Sequence, residues 1–472
     1  MTDGDREHRR LAWCVALLLR HAPDPVVAGL LERMDPAARG FLCRDELLPP
    51  SAVTLLLRDG SAEDRRRVAA NPYVLGRPLP GLPSVRRYAA RPEPTPELRA
   101  SVRTELAAAG HAADDGRPRD TAALVALLRR HGRRHPRVPL DLLALAGDLD
   151  PDVLLHAHAR GPLPPGSVEA LLLAGGLPRE ACPALLDTRA QRSYGPSWHR
   201  PAVRAVRMGL LTCDELVAAV APAHRTLLLG DLRLSKGLRW SLPEQAAVRG
   251  ALGRVLRPAL GEDPLLWDDL LRRAPAFPGT LPELAEAVAA GPAAVPAAVP
   301  ADAAAPGPAP DGALARAVAA LAPPPPDAAA AGGVERELAL AALAVPNAMG
   351  DLAEDIRWVR ACLDRGLLTG ADVLWHKAPA AWALDEDHWL GEIDHWNTRL
   401  DEPDDHPAGR AARLRAEAML AAHAAADRLL GAALGGDTAA WWRAARALPE
   451  FPGSLPELLG ALVQGDSVPG RG

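Results

Sequence analysis

The chain is predicted to be all-α: a helical-repeat solenoid N-terminal region followed by two duplicated helical modules. Three observations lead there. First, Ala251–Gly291 reappears without a gap as Ala425–Gly465, at an offset of 174. The matching core is Phe277-Pro278-Gly279-Thr280-Leu281-Pro282-Glu283-Leu284 against Phe451-Pro452-Gly453-Ser454-Leu455-Pro456-Glu457-Leu458, and Trp267 pairs with Trp441. Self-similarity at a fixed offset is the mark of a repeat architecture. Second, the shared motifs are helix starts. Thr212-Cys213-Asp214-Glu215, Thr280-Leu281-Pro282-Glu283 and Ser454-Leu455-Pro456-Glu457 are capping boxes, in which the hydroxyl accepts from the third helical N–H and the Glu reaches back. Third, the Ala- and Leu-rich runs lack the period-two alternation of a half-buried strand, and Ala and Leu are among the best helix formers.

The first apolar run, Leu11–Leu19, follows Asp3, Asp5 and Glu7 and ends on Arg20-His21, where a secretory leader would carry small residues. It reads as an ordinary helix. Residues 1–190 then show a beat of 25 to 26. Leu48-Pro49-Pro50-Ser51-Ala52-Val53 leads into Arg65-Arg66-Arg67-Val68-Ala69-Ala70-Asn71-Pro72, and Val27, Leu30, Leu31 and Arg39 sit one period earlier. Val138-Pro139-Leu140, Asp150-Pro151-Asp152-Val153 and Leu163-Pro164-Pro165-Gly166-Ser167-Val168 continue it.

This pattern resembles the leucine-rich repeat variant family, whose units read Leu-Pro-x-x-x-Val-x-x-Leu and Arg-x-x-Val-Ala-x-Asn-Pro. The resemblance covers residues 22–190 with a break around 75–130, and implies a right-handed stack of short helices akin to HEAT solenoids. Some relatives of that family pair the repeats with a cysteine-ligated iron–sulfur domain. Cys14, Cys43, Cys182, Cys213 and Cys362 are scattered, so that feature does not carry over.

Helical module 1 is placed at 195–291 and helical module 2 at 333–466. Gly209-Leu210-Leu211-Thr212 recurs as Gly366-Leu367-Leu368-Thr369 at an offset of 157. The change from 157 to 174 puts 17 extra residues in module 2, at or near Ala381–Glu417. Between the modules, residues 292–332 are dominated by Ala and Pro, which reads as a semi-stiff spacer with one short helix at Ala313–Leu321.

The extra segment holds the most unusual chemistry. Trp375, Trp382, Trp389 and Trp396 fall seven apart, and Asp387-His388-Trp389 is echoed by Asp394-His395-Trp396. If 385–400 is one helix, His388, Glu392 and His395 share a face and form a candidate metal set. The simpler expectation is a Trp stripe lining a core or groove, with Trp382, Trp389, Trp396, Asp387 and Asp394 as its binding residues. A second candidate is the basic run Arg129, Arg130, Arg133, Arg134 and Arg137, which could grip phosphates. It has no interleaved aromatics for base stacking.

Composition narrows the function classes. A net charge of −5 argues against a nucleic-acid binder, and the Arg excess over two lysines (Lys236, Lys377) fits GC-rich codon usage. Unpaired cysteines suit a reducing compartment, and no long charge-free apolar run would span a bilayer. Walker A, Gly-x-Ser-x-Gly, His-Glu-x-x-His and Gly-x-Gly-x-x-Gly motifs are missing. The expectation is a cytoplasmic, non-enzymatic scaffold that binds another protein and needs no cofactor. The alternatives are an enzyme or metal-dependent accessory sited in the 381–410 insertion, and a nucleic-acid-associated protein using 129–137.

Overall fold

The computed structural model describes residues 3–71, 96–110, 118, 120–132, 136–145, 150–174, 177–189, 198–231, 240, 242–291, 312–322, 333–345, 358–363, 365–385 and 406–464, and no β-strand occurs among them. The helices are α1 (Asp3–Leu19), α2 (Asp24–Arg33), α3 (Pro36–Asp45), α4 (Pro50–Asp59), α5 (Ala62–Ala70), α6 (Pro96–Ala108), α7 (Thr121–His131), α8 (Arg137–Leu145), α9 (Pro151–Arg160), α10 (Pro165–Ala174), α11 (Cys182–Leu186) and α12 (Arg200–Arg207). They continue as α13 (Cys213–Ala219), α14 (Ala223–Leu228), α15 (Leu242–Leu260), α16 (Pro264–Arg273), α17 (Leu281–Ala289), α18 (Gly312–Ala319), α19 (Val334–Leu343), α20 (Gly370–His376), α21 (Ala380–Leu384), α22 (Pro407–Leu434), α23 (Thr438–Ala447) and α24 (Leu455–Gln464). None of these described helices is long and apolar enough to cross a membrane.

The chain divides into two compact units: unit 1 is Met1–Val74, Trp240–Gly250 and Pro323–Gly472, and unit 2 is Leu75–Arg239 with Ala251–Ala322. The region read from sequence as one block, 1–190, therefore divides at Val74. The reason lies in α1. Its residues Cys14 to Leu19 are buried on every side, because α3 covers one flank while α21 and α23 cover another. A helix apolar all round needs such enclosure.

In unit 1, α2 packs on α4 and α3 on α5, so alternate helices form two layers. Asn71 shows how the motif residues work. Its side-chain amide, fully buried, donates to the carbonyls of Cys43 and Glu46, each at 2.9 Å. Those carbonyls lie at the C-terminal end of α3, where the helix has no internal donors left for them. In unit 2, α7 packs on α9 and α9 on α11, while α8 packs on α10 and α10 on α12. Between the last pair lies a buried ion cluster: Glu169 faces Arg204 Nε at 2.5 Å and Arg200 Nε at 3.1 Å. Burial pushes the Glu169 carboxyl above its ordinary range despite the Arg200 charge.

Positions at the two offsets share local geometry. Thr212 and Thr369 both cap their helices, accepting from Glu215 N–H and Asp372 N–H at 3.1 Å. Arg179 donates to the Leu210 carbonyl and the Glu215 carboxylate; Arg336 donates to the Leu367 carbonyl and the Asp372 carboxylate. The Trp267 indole donates to the Gly261 carbonyl at 3.1 Å, and the Trp441 indole to that of Gly435 at 2.9 Å. Gly261 and Gly435 have φ of 55° and 53°, a left-handed conformation that glycine adopts without strain. The N–H groups of Ala223 and Ala380 donate to Gly279 and Gly453 at 2.8 and 2.7 Å. At either glycine a Cβ would strike a Phe ring and a Glu carboxylate.

α22 has 28 residues against 19 for α15. The short helix expected inside the Ala/Pro-rich stretch is α18. Leu314, Ala317 and Val318 are buried on it, it packs on α14 and α16, and Arg316 pairs with Asp231 at 2.8 Å.

Candidate functional site

Val334 and Leu338 of α19 are 73 and 65% exposed, and their spacing of four puts them on one helical face. Val345, two residues past the end of that helix, is 57% exposed, and Leu414 of α22 and Val463 of α24 are exposed elsewhere in the unit. Exposed Ala341 falls on the same stripe. The opposite face buries Ala339 and Leu343, and Arg336 ties α19 to α20 through Asp372 at 2.8 Å. Burial first raises the Asp372 carboxyl, but Arg336 and the Thr369 cap outweigh it and hold it below its ordinary value. The helix is thus clamped along one face while its other face offers apolar carbons to solvent. Among the described residues of this unit, Trp375 on α20 is an exposed large aromatic, at 46%.

Of the Trp stripe expected in the insertion, only Trp375 and Trp382 lie among the described residues. Trp382 is half-buried on α21 and packs against Trp13 of α1, with ring centroids 5.3 Å apart. The Trp13 indole donates to Asp385 at 3.1 Å. So Trp382 belongs to the seam that seats α1. Asp387, His388, Trp389, Glu392, Asp394, His395 and Trp396 lie outside the described residues.

The arginine run is placed in part. Arg129 donates to the Ala157 and Gly161 carbonyls at 2.7 and 3.1 Å, completing the C-terminal end of α9. Arg130 and His131 both pair with Glu105, at 2.7 and 2.8 Å. Arg137 begins α8 on an exposed surface. Arg133 and Arg134 lie outside the described residues. The charges that can be placed at Arg129 and Arg130 are thus directed at this chain's own carbonyls and carboxylate.

Two further features come from the structure alone. In unit 2, a small cleft is lined by Leu163, Val168, Trp198, Pro201, Val220 and Arg225, among others. The Arg225 guanidinium stands 5.7 Å from the Trp198 ring centre, and burial lowers it to about 9. In unit 1, His21, His423 and Asp427 bring two imidazoles and a carboxylate within 4.8 Å of one another. The i, i+4 pair His423 and Asp427 was visible as a spacing on a helix. Its third member lies some four hundred positions away, which no local pattern signals.

None of the five cysteines forms a disulfide, and all are buried. Burial raises the thiols of Cys43 and Cys182 to about 12 and 11, so neither is a ready nucleophile at neutral pH. No family model, curated protein or solved structure matches this chain.

Proposed function

We propose that this chain is a protein-binding scaffold, in which a stack of helical repeats precedes two copies of one helical module. The observation that carries the binding role is the stripe Val334, Leu338 and Ala341 on α19, an apolar face left open on a clamped helix, with exposed Val345 just past its end. Contiguous exposed apolar surface on a folded protein marks contact sites. The recurring caps, Trp corners and glycine contacts at offsets of 157 and 174 support the reading of a duplicated module. The absence of disulfides among the five buried cysteines supports the reading of a reducing, cytoplasmic setting.

The test is site-specific photo-crosslinking in the native host. A photoreactive side chain replacing Leu338 should trap a discrete protein adduct, and the same group replacing Leu265, which is 72% exposed in unit 2, should not. The adduct should disappear when Val334→Asp is added. Equal, diffuse labelling from both positions would remove α19 as the docking face.

A further inference from the structure

Inside unit 1, His423 and Asp427 stand one turn apart on α22, so one helical face presents both groups. His21, just past the end of α1, meets them from a separate element. His21 Nδ1 lies 2.8 Å from Asp427 Oδ1, and His423 Nε2 lies 3.9 Å from the same oxygen. The two imidazole centres are 4.2 Å apart. The side chains of His21, His423 and Asp427 are 0, 6 and 10% exposed.

We propose that His21, His423 and Asp427 form a site for a divalent transition-metal ion of the zinc class, which fastens the end of α1 to α22. Donors around zinc sit about 2.0–2.2 Å from the ion, so in a tetrahedron they stand about 3.3 Å apart. The observed separations of 2.8 and 3.9 Å fall on either side of that value. All three donor atoms lie within 4.8 Å of one another.

The donor set selects the ion. Two imidazoles with one carboxylate suit zinc, cobalt or nickel, whereas calcium and magnesium take oxygens. The three donors converge in a buried space, where a shared ion would offset the desolvation that each polar group costs. Three protein donors leave the fourth position to a water, and the burial of the set makes its role the holding together of two helices.

Cobalt(II) titration of the full-length, tag-free, chelator-treated protein tests this. The wild type should bind one Co²⁺ with intense visible ligand-field bands, and Zn²⁺ should displace it and raise the melting temperature. His423→Ala and Asp427→Asn should each weaken binding about 100-fold while the far-ultraviolet circular dichroism stays that of a helical protein. His21→Gln, placed outside any helix, should do the same if either of the other variants misfolds. The double variant His388→Ala/His395→Ala should bind as the wild type does. A wild type without a cobalt spectrum would overturn the site, as would stoichiometric binding that survives His21→Gln or is lost only with His388 and His395.

Discussion

The Trp267 corner of unit 2 and the Trp441 corner of unit 1 are built alike and covered differently. α17 packs on α13, α14 and α16, and α24 packs on the matching α20, α21 and α23 and on α22 as well. What lies over that frame is not shared. The short α18 rests on α14 and α16, whereas α1 rests on the matching α21 and α23, with α2 also against α23. One frame thus accepts either an eight-residue helix from the Ala/Pro-rich stretch or a seventeen-residue helix from the far end of the chain. The chemistry follows the cover: continued two residues upstream of the matched block, the 174 offset sets His423 and Asp427 against Arg249 and Gly253. The imidazole cluster is an addition to unit 1, made where α1 arrives. Internal contacts set the frame, and the cover sets the individuality of each copy.

That contrast can be tested by substitution. The largest effect is expected at Trp441, fully buried in a cluster that includes α1 and α2. Trp441→Ala should destabilise unit 1 by about 3–5 kcal/mol, and Trp267→Ala should cost unit 2 less, because its cover is shorter. Urea unfolding followed by hydrogen exchange resolves the two units, and equal losses would mean that the covers are equivalent. Next come the arginine clamps. Arg336→Ala and Arg179→Ala should each cost about 1–2 kcal/mol, since each removes a charged partner from a carboxylate that keeps its cap hydrogen bonds. A loss at one position only would show that the clamp is not a shared device.

The third effect depends on pH and belongs to unit 1. Burial raises the Glu46 carboxyl from 4.5 to about 7, against the lowering influence of Arg20. The folded state therefore holds a proton that the unfolded state has released, so stability is full below pH 4.5 and falls as pH rises through about 7. The full shift corresponds to about 3 kcal/mol, and the partial exposure of Glu46 screens it to about 1–2 kcal/mol. Glu46→Gln should flatten that part of the melting-temperature profile, and an unchanged slope would assign it to another group. The smallest effect is at the caps: Thr212→Ala and Thr369→Ala should each cost about 1 kcal/mol, read as matching shifts in the urea midpoint of their own unit.

Local rules made the helices legible. Thr212, Thr369 and Thr280 start helices because a hydroxyl and an acidic residue three positions on leave a trace in four consecutive letters. Asn71 was legible as part of a motif, though its service to α3 required coordinates. The membership of the units was not legible. That α1 completes a core with α21 and α23 depends on complementary surfaces, and such surfaces have no period. The same reason hid His21 from His423 and Asp427. The Trp, His and Asp residues at 387–396 attracted notice by their regular spacing, and spacing speaks for a helix face more readily than for the partner it faces.

One feature of the fold also bears on how the protein is made. Arg10 donates to the Pro449 carbonyl and to Glu450, 440 positions further along the chain. Synthesis at roughly 5–20 residues per second puts an interval on the order of half a minute to a minute and a half between the two. Throughout that time the apolar flank of α1 has left the ribosome and the helices that cover it have not. Unit 2, drawn from residues 75–239 and 251–322, is completed before α22 to α24 are made. The α1 segment is therefore an early, exposed, strongly apolar stretch waiting on the last part of the message, which makes it the natural client for a ribosome-associated chaperone and the first point of aggregation when α23 or α24 is truncated.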